Sequence, residues 1–160
     1  MRNVKKESDL YPGMVAWLRK HLEDKYPSDT IIVSDTSTRK LEDVLRENGI
    51  DEPKSVGVNI QIDVLGIVKQ QEKHHLIFIE AKKTALSLQD LGQLWAYCRL
   101  IEPSEAYLLS SKGFGSLSKV LNILGRKDML DYGVTSKMMR MKVGIWKVEQ
   151  NRPDFLSMIS

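Results

Sequence analysis

Apolar positions along the chain fall into two periods, one helical and one alternating, and the switches between them predict the elements. Leu10, Met14, Trp17, Leu18 and Leu22 recur at helical spacing and predict a first helix over about 9–25. Pro12 falls in its first turn, where a missing N–H costs little. Ile31-Ile32-Val33 reads as a short strand. Thr38 is placed to cap a second helix with the apolar face Leu41, Val44 and Leu45, ended by Asn48-Gly49. Residues 50–56, with Pro53, read as loop.

Val58, Ile60, Ile62 and Val64 then alternate with Asn59, Gln61, Asp63 and Leu65, which predicts a half-buried strand over 58–68. Leu76–Ile79 is a denser apolar run inside 75–82, as a central strand covered on both faces requires. The polar stretch Lys69–His74 between them reads as a hairpin loop. Leu88, Leu91, Leu94, Trp95 and Cys98 form the stripe of a helix over about 87–101, stopped by Pro103. Ala106–Leu109 and Val143–Val148 read as strands. Ser116 is placed to cap a further helix carrying Leu117, Val120, Leu121 and Leu124, with Gly125 at its end. The order predicts a mixed α/β domain with helices around a small sheet.

No repeat, low-complexity tract or Pro/Gly linker divides the 160 residues, so the whole chain, 1–160, reads as one domain. A hydrophobic fraction of 42% with 28% charged residues fits a globular fold and argues against disorder or coiled coil. No apolar run approaches the roughly 18–20 residues of a membrane span, so no membrane partner is expected. The N-terminal Met1-Arg2-Asn3-Val4-Lys5-Lys6-Glu7 has basic residues with no apolar segment behind them, unlike a signal peptide. Cys98 is the one cysteine, which suits a reducing cytoplasmic setting.

The net charge of +3 is small, but it is unevenly spread. Residues 1–111 carry 15 basic and 17 acidic side chains, a net of −2. Residues 112–142 carry Lys112, Lys119, Arg126, Lys127, Lys137, Arg140 and Lys142 against Asp128 and Asp131, a net of +5. A basic segment beside an acidic remainder suits a polyanion gripped near a carboxylate site, although it also describes a solvated face. Arg39 and Lys40, at the entry to the second helix, are further candidates for backbone phosphate contact.

The sharpest constellation is Asp63 on one strand and Glu80-Ala81-Lys82 on the next. Glu-x-Lys occurs elsewhere, at Glu23-Asp24-Lys25 and Glu52-Pro53-Lys54, but only the third instance follows an apolar strand. Strand alternation puts Glu80 and Lys82 on one face, about 6.6 Å apart along the strand. An antiparallel turn centred between Gln71 and Glu72 makes partner numbers sum to 143, which sets Asp63 opposite Glu80 with Cβ atoms about 4.5–5.5 Å apart. Two carboxylates at that distance repel by roughly 3 kcal/mol at an effective dielectric of 20. Lys82 offsets part of this and a divalent cation offsets more; oxygen ligands suit Mg²⁺ or Mn²⁺. The same spacing also fits ordinary cross-strand pairs with Lys82 or Lys83.

At these residues the chain resembles the PD-(D/E)xK nuclease superfamily, which includes restriction endonucleases and Holliday-junction resolvases. The matches are Asp63 and Glu80-Ala81-Lys82; Ile62 stands where the family name has proline. Glu7 stands where many members carry an acidic residue at the first helix, and Gln93, with Gln89 one turn earlier, where several carry a glutamine. The resemblance covers about residues 5–110, treats about 37–56 as a helical insertion and leaves 111–160 as a basic helix and strand extension. It implies a restriction-endonuclease-like α-β-β-β-α-β core and hydrolysis of DNA phosphodiester bonds to 5′-phosphate and 3′-hydroxyl ends. Asp63, Glu80 and the Ala81 carbonyl would hold Mg²⁺ or Mn²⁺, Lys82 would orient the attacking water, and Glu7 and Gln93 would assist. A homodimer would supply two sites for two strands. A non-catalytic module of the same fold, binding nucleic acid or a partner protein, is the other reading.

Other residues point to less. Adjacent strand residues His74 and His75 face opposite ways and cannot share one ion. His21 reads as structural or solvated, and Tyr11, Trp17, Trp95 and Tyr97 as packing residues. Ser116-Leu117-Ser118-Lys119 lacks any oxyanion context, and Gly113-Phe114-Gly115 lacks the rest of a phosphate loop.

Overall fold

The computed structural model describes residues 3–133 and 137–160; Met1 and Arg2, the first residues of the N-terminal reading above, lie outside them. A short 3-10 turn over Glu7–Leu10 leads into α1, Tyr11–Lys25. There follow β1 (Thr30–Asp35), α2 (Leu41–Glu47), β2 (Val64–Lys69), β3 (His74–Lys82), α3 (Leu88–Ile101), β4 (Glu105–Ser110), β5 (Lys142–Lys147) and β6 (Arg152–Pro153). The protein is thus α/β, with one mixed six-stranded sheet in the order β1-β2-β3-β4-β5-β6. β1, β2 and β3 form an antiparallel meander, and α3 carries the chain across to β4, which lies parallel to β3, as β5 does to β4.

Both faces of the sheet are covered. Leu10, at the end of the 3-10 turn, and Met14, Leu18 and Leu22 of α1 pack against Val33, Val64, Val68, Ile77, Ile79, Tyr107 and Leu109. On the other face α2 and α3 bring Leu41, Val44, Leu45, Leu91, Leu94, Cys98 and Ile101 onto Leu65, Ile67, Leu76, Phe78, Ala106 and Leu108. Successive residues of β3 therefore alternate between two cores, which is why its apolar run is continuous. Gly66 lets α1 approach: a Cβ there would meet Leu22 Cδ1 at 2.9 Å and Leu18 Cδ2 at 3.0 Å.

Several sequence expectations change. The strand expected from 58 starts only at Val64: Asn59 adopts φ 55°, and beyond it the Ile60 and Ile62 carbonyls bond to Leu41 and Thr36 instead of a ladder. Ile60 and Ile62 are buried as expected, but in a loop whose carbonyls accept from the Leu41 amide (2.7 Å) and the Thr36 hydroxyl. Thr38 does not cap α2; the cap position is Lys40, with no side-chain cap bond. Ser87 does cap α3, exchanging bonds with Asp90. Leu88 and Trp95 leave the stripe, being 48% and 37% exposed, while Ile101 joins it. The basic helix expected over 116–124 is present but short: Leu117 and Ser118 are α-helical and run into a wider π segment, Lys119–Ile123, closed by Gly125 at φ 64°. Among the described residues no helix is long and apolar enough to cross a membrane.

Candidate active site

The β2–β3 ladder pairs Val64 with Ile79 and Lys69 with His74, so partner numbers sum to 143 as the turn arithmetic requires. Asp63 lies one residue before β2, and the register continues to set it opposite Glu80. Its backbone is fixed to the end of β1: its carbonyl accepts the Thr36 amide at 3.0 Å. Its carboxylate is fixed twice. Oδ1 accepts the Tyr11 hydroxyl at 3.0 Å and Oδ2 accepts the Ala81 amide at 2.9 Å. N–H and C=O of one strand residue point to the same neighbour, so the Ala81 carbonyl is turned toward Asp63 as well.

Glu80 is buried on the α3 side of the sheet, within hydrogen-bonding reach of Asp63, and its Oε2 has no hydrogen-bond partner among the described residues. Burial first, and then the Asp63 charge and contact, push its carboxyl up to about 9; Lys82 pulls the other way. Without a cation, the Glu80 proton is what lets its buried carboxyl lie against the half-buried Asp63 carboxylate. Lys82 stands 3.8 Å from Glu80 Oε1 and 4.0 Å from Asp90 Oδ1. The sequence reading missed Asp90, whose signal is its place in the Ser87 capping box just after the Glu-x-Lys strand. It also missed the Tyr11 hydroxyl, reading that residue as packing only.

The other expected site residues divide. Glu7 lies close enough to act electrostatically on Glu80 and Tyr11, and its Oε2 accepts the Lys83 amide at 3.2 Å. Gln93 is exposed on α3, one turn beyond Asp90, and its amide donates to the Tyr97 hydroxyl at 3.4 Å. Among the described residues no three His, Cys, Asp or Glu side chains gather closely enough to form a ready metal cage. Of the basic candidates, Arg39 pairs with Glu47, Arg126 with Asp128 and Arg140 with Asp131. Lys40, Lys112, Lys119, Lys127 and Lys137 are exposed.

A second polar network lies on the α1 face. Glu105, buried at the start of β4, accepts from the Tyr107 hydroxyl at 2.7 Å and meets His21 at 3.1 Å, Lys25 at 3.3 Å and Lys142 at 3.8 Å. Trp17 stacks on the His21 ring, with centroids 5.1 Å apart. Of the two readings of His21, structural or solvated, the network fits the structural one, and Lys142 is occupied here.

Comparison with protein-family models, with curated proteins and with solved structures finds no match.

Proposed function

We propose that this protein is a metal-dependent DNA endonuclease with a restriction-endonuclease-like core, hydrolysing phosphodiester bonds to 5′-phosphate and 3′-hydroxyl ends. The observation that carries the reading is the buried Glu80 carboxyl beside Asp63, with Oε2 unpartnered among the described residues and Lys82 next to it. A buried acid beside a second carboxylate is costly to ionise unless a cation takes the place of its proton. The donor set of two carboxylates and the Ala81 carbonyl is all oxygen, which fits Mg²⁺ or Mn²⁺. Asp63 retains lone pairs on both oxygens after accepting from Tyr11 and Ala81. When bound, the metal polarises a phosphate oxygen and lowers the pKa of bound water.

The chain's own residues do the rest. Tyr11 and the Ala81 amide fix the Asp63 carboxylate before substrate arrives. Lys82, held between Glu80 and Asp90, orients the attacking water and meets the charge that grows on the phosphate. Glu7 adds a carboxylate at the rim, and the exposed Gln93 amide can donate to a phosphate oxygen. The substrate is DNA, cut on both strands by two copies of the chain in a homodimer, in a reducing cytoplasm. Asp63→Ala and Glu80→Ala are expected to abolish cleavage while DNA binding stays within a few-fold of wild type; full cleavage by both variants would contradict the reading.

One observation favours the alternative, a non-catalytic module of the same fold: only two acids meet at the centre, short of a three-residue cage among the described residues. That module would retain DNA and release no products under any divalent metal.

A further inference from the structure

Three chain segments meet at the end of β3. The N-terminal turn is fastened there by Lys83, whose ammonium donates to the Lys5 carbonyl at 3.0 Å and whose amide donates to Glu7 Oε2 at 3.2 Å. Asp9 Oδ2 accepts the amides of Lys5 and Lys6, at 3.0 and 2.9 Å, and so sets the direction of that turn. On the other side of β3 from Asp63, the Lys82 carbonyl accepts the Ser111 amide at 3.0 Å. The Ser110 hydroxyl accepts the Lys112 amide at 3.0 Å and donates to the Thr84 carbonyl. Leu86 donates to the Gly113 carbonyl at 3.0 Å and closes the corner.

Lys5, Lys6, Lys83 and Lys112 are all exposed at this junction. Among the described residues none of their ammonium groups forms an ion pair, although Asp9 lies close enough to Lys5 and Lys6 to interact with them electrostatically. Lys112 opens the segment that the sequence marks as basic, 112–142. Arg126 and Arg140 each hold an aspartate through two bonds, and Lys142 lies over the Tyr107 ring. Lys119, Lys127 and Lys137 of that segment are exposed as well.

We propose that Lys5, Lys6, Lys83 and Lys112 form the surface that grips the DNA backbone, across the end of β3 and over the Asp63–Glu80 pair. The proposal rests on the endonuclease reading and identifies where its substrate is held. A phosphodiester at Glu80 and Lys82 has neighbouring phosphates on both sides along its strand. The N-terminal turn with Lys83 supplies cations on one flank, and Lys112, leaving β4, supplies one on the other. Contacts of this kind carry no sequence information; they set position and a salt-dependent affinity.

The test is fluorescence anisotropy of a labelled duplex of about 20 base pairs in EDTA, titrated with wild type and variants over a series of NaCl concentrations. Lys83→Glu with Lys112→Glu is expected to weaken binding at least tenfold and to lower the slope of log affinity against log salt by about 2. Lys83→Gln with Lys112→Gln, which adds no repulsion, should give the same change of slope with a smaller loss. Lys127→Glu with Lys137→Glu should stay within about twofold of wild type. Equal loss from that second pair, or no loss from the first, overturns the proposal. A plasmid assay beside it separates the two claims. Wild type that cuts while the Lys83/Lys112 variants bind normally overturns this surface alone. Wild type that binds through these lysines and never cuts with Mg²⁺ or Mn²⁺ supports the surface and overturns the hydrolysis.

Discussion

The Tyr11 hydroxyl donates to Asp63 Oδ1 across 3.0 Å, joining the first residue of α1 to the acid at the mouth of the β2–β3 ladder. Burial first, and then the Asp63 charge, raise the phenol well above its ordinary range, so it remains a donor at any working pH. Tyr11→Phe keeps the ring in its buried site and removes only this bond. It should cost about 1 kcal/mol of stability. The Mg²⁺ concentration for half-maximal cleavage should rise several-fold, with the rate at saturating metal much less affected. An unchanged metal requirement would show that Asp63 is held well enough without Tyr11.

Glu80 carries a second prediction, with a sign. Its folded pKa of about 9 lies above the ordinary 4.5, so the folded state binds a proton that the unfolded chain has released across that window. Its favourable contribution is complete below about pH 4.5 and is lost as pH rises toward 9. Glu80→Gln keeps the shape without the acid. In EDTA the variant should melt close to wild type at pH 5 and several degrees above it at pH 9, as followed by circular dichroism. Parallel melting curves at the two pH values would remove the buried-acid account.

Glu105 works the other way. Burial alone would raise its carboxyl, but the His21 and Tyr107 hydrogen bonds and the charges of His21 and Lys25 overcome this and hold it near 2. A shift from 4.5 to about 2 contributes at most about 3 kcal/mol, present above pH 4.5 and lost as pH falls toward 2. Glu105→Gln should therefore lower denaturant stability at pH 7 and lose most of its deficit relative to wild type near pH 2.

Gly66 tests the seating of α1. Gly66→Ala would press a methyl against Leu18, Leu22 and, at 3.3 Å, the Ile77 Cβ. A loss of about 1–3 kcal/mol is expected, measured by urea unfolding. Because Tyr11 sits on the same helix, metal-dependent activity should fall in the same variant.

The hairpin register was legible because strand period and turn position together leave one solution, and β2–β3 adopts it. The start of β2 was not. Ile60 and Ile62 alternate and are buried as a strand's residues would be, and alternation cannot distinguish a ladder from a loop bonded to Leu41 and Thr36. Asp63 and Glu80 could be paired by arithmetic, since both belong to one hairpin. Tyr11, 52 residues from Asp63, could not, because no local pattern records where α1 enters the sheet. Glu105 was missed for the same reason: its partners come from α1, β4 and β5. The basic segment was visible as composition, but its Arg126 and Arg140 pairs are products of folding.

The most direct test of the central claim is incubation of the purified protein with supercoiled plasmid and labelled branched DNA, with Mg²⁺, Mn²⁺ or EDTA, beside Glu80→Ala. The site predicts cleavage with either metal, none in EDTA and none by the variant. Intact DNA under every metal, with binding retained, would contradict a catalytic Asp63–Glu80–Lys82 centre.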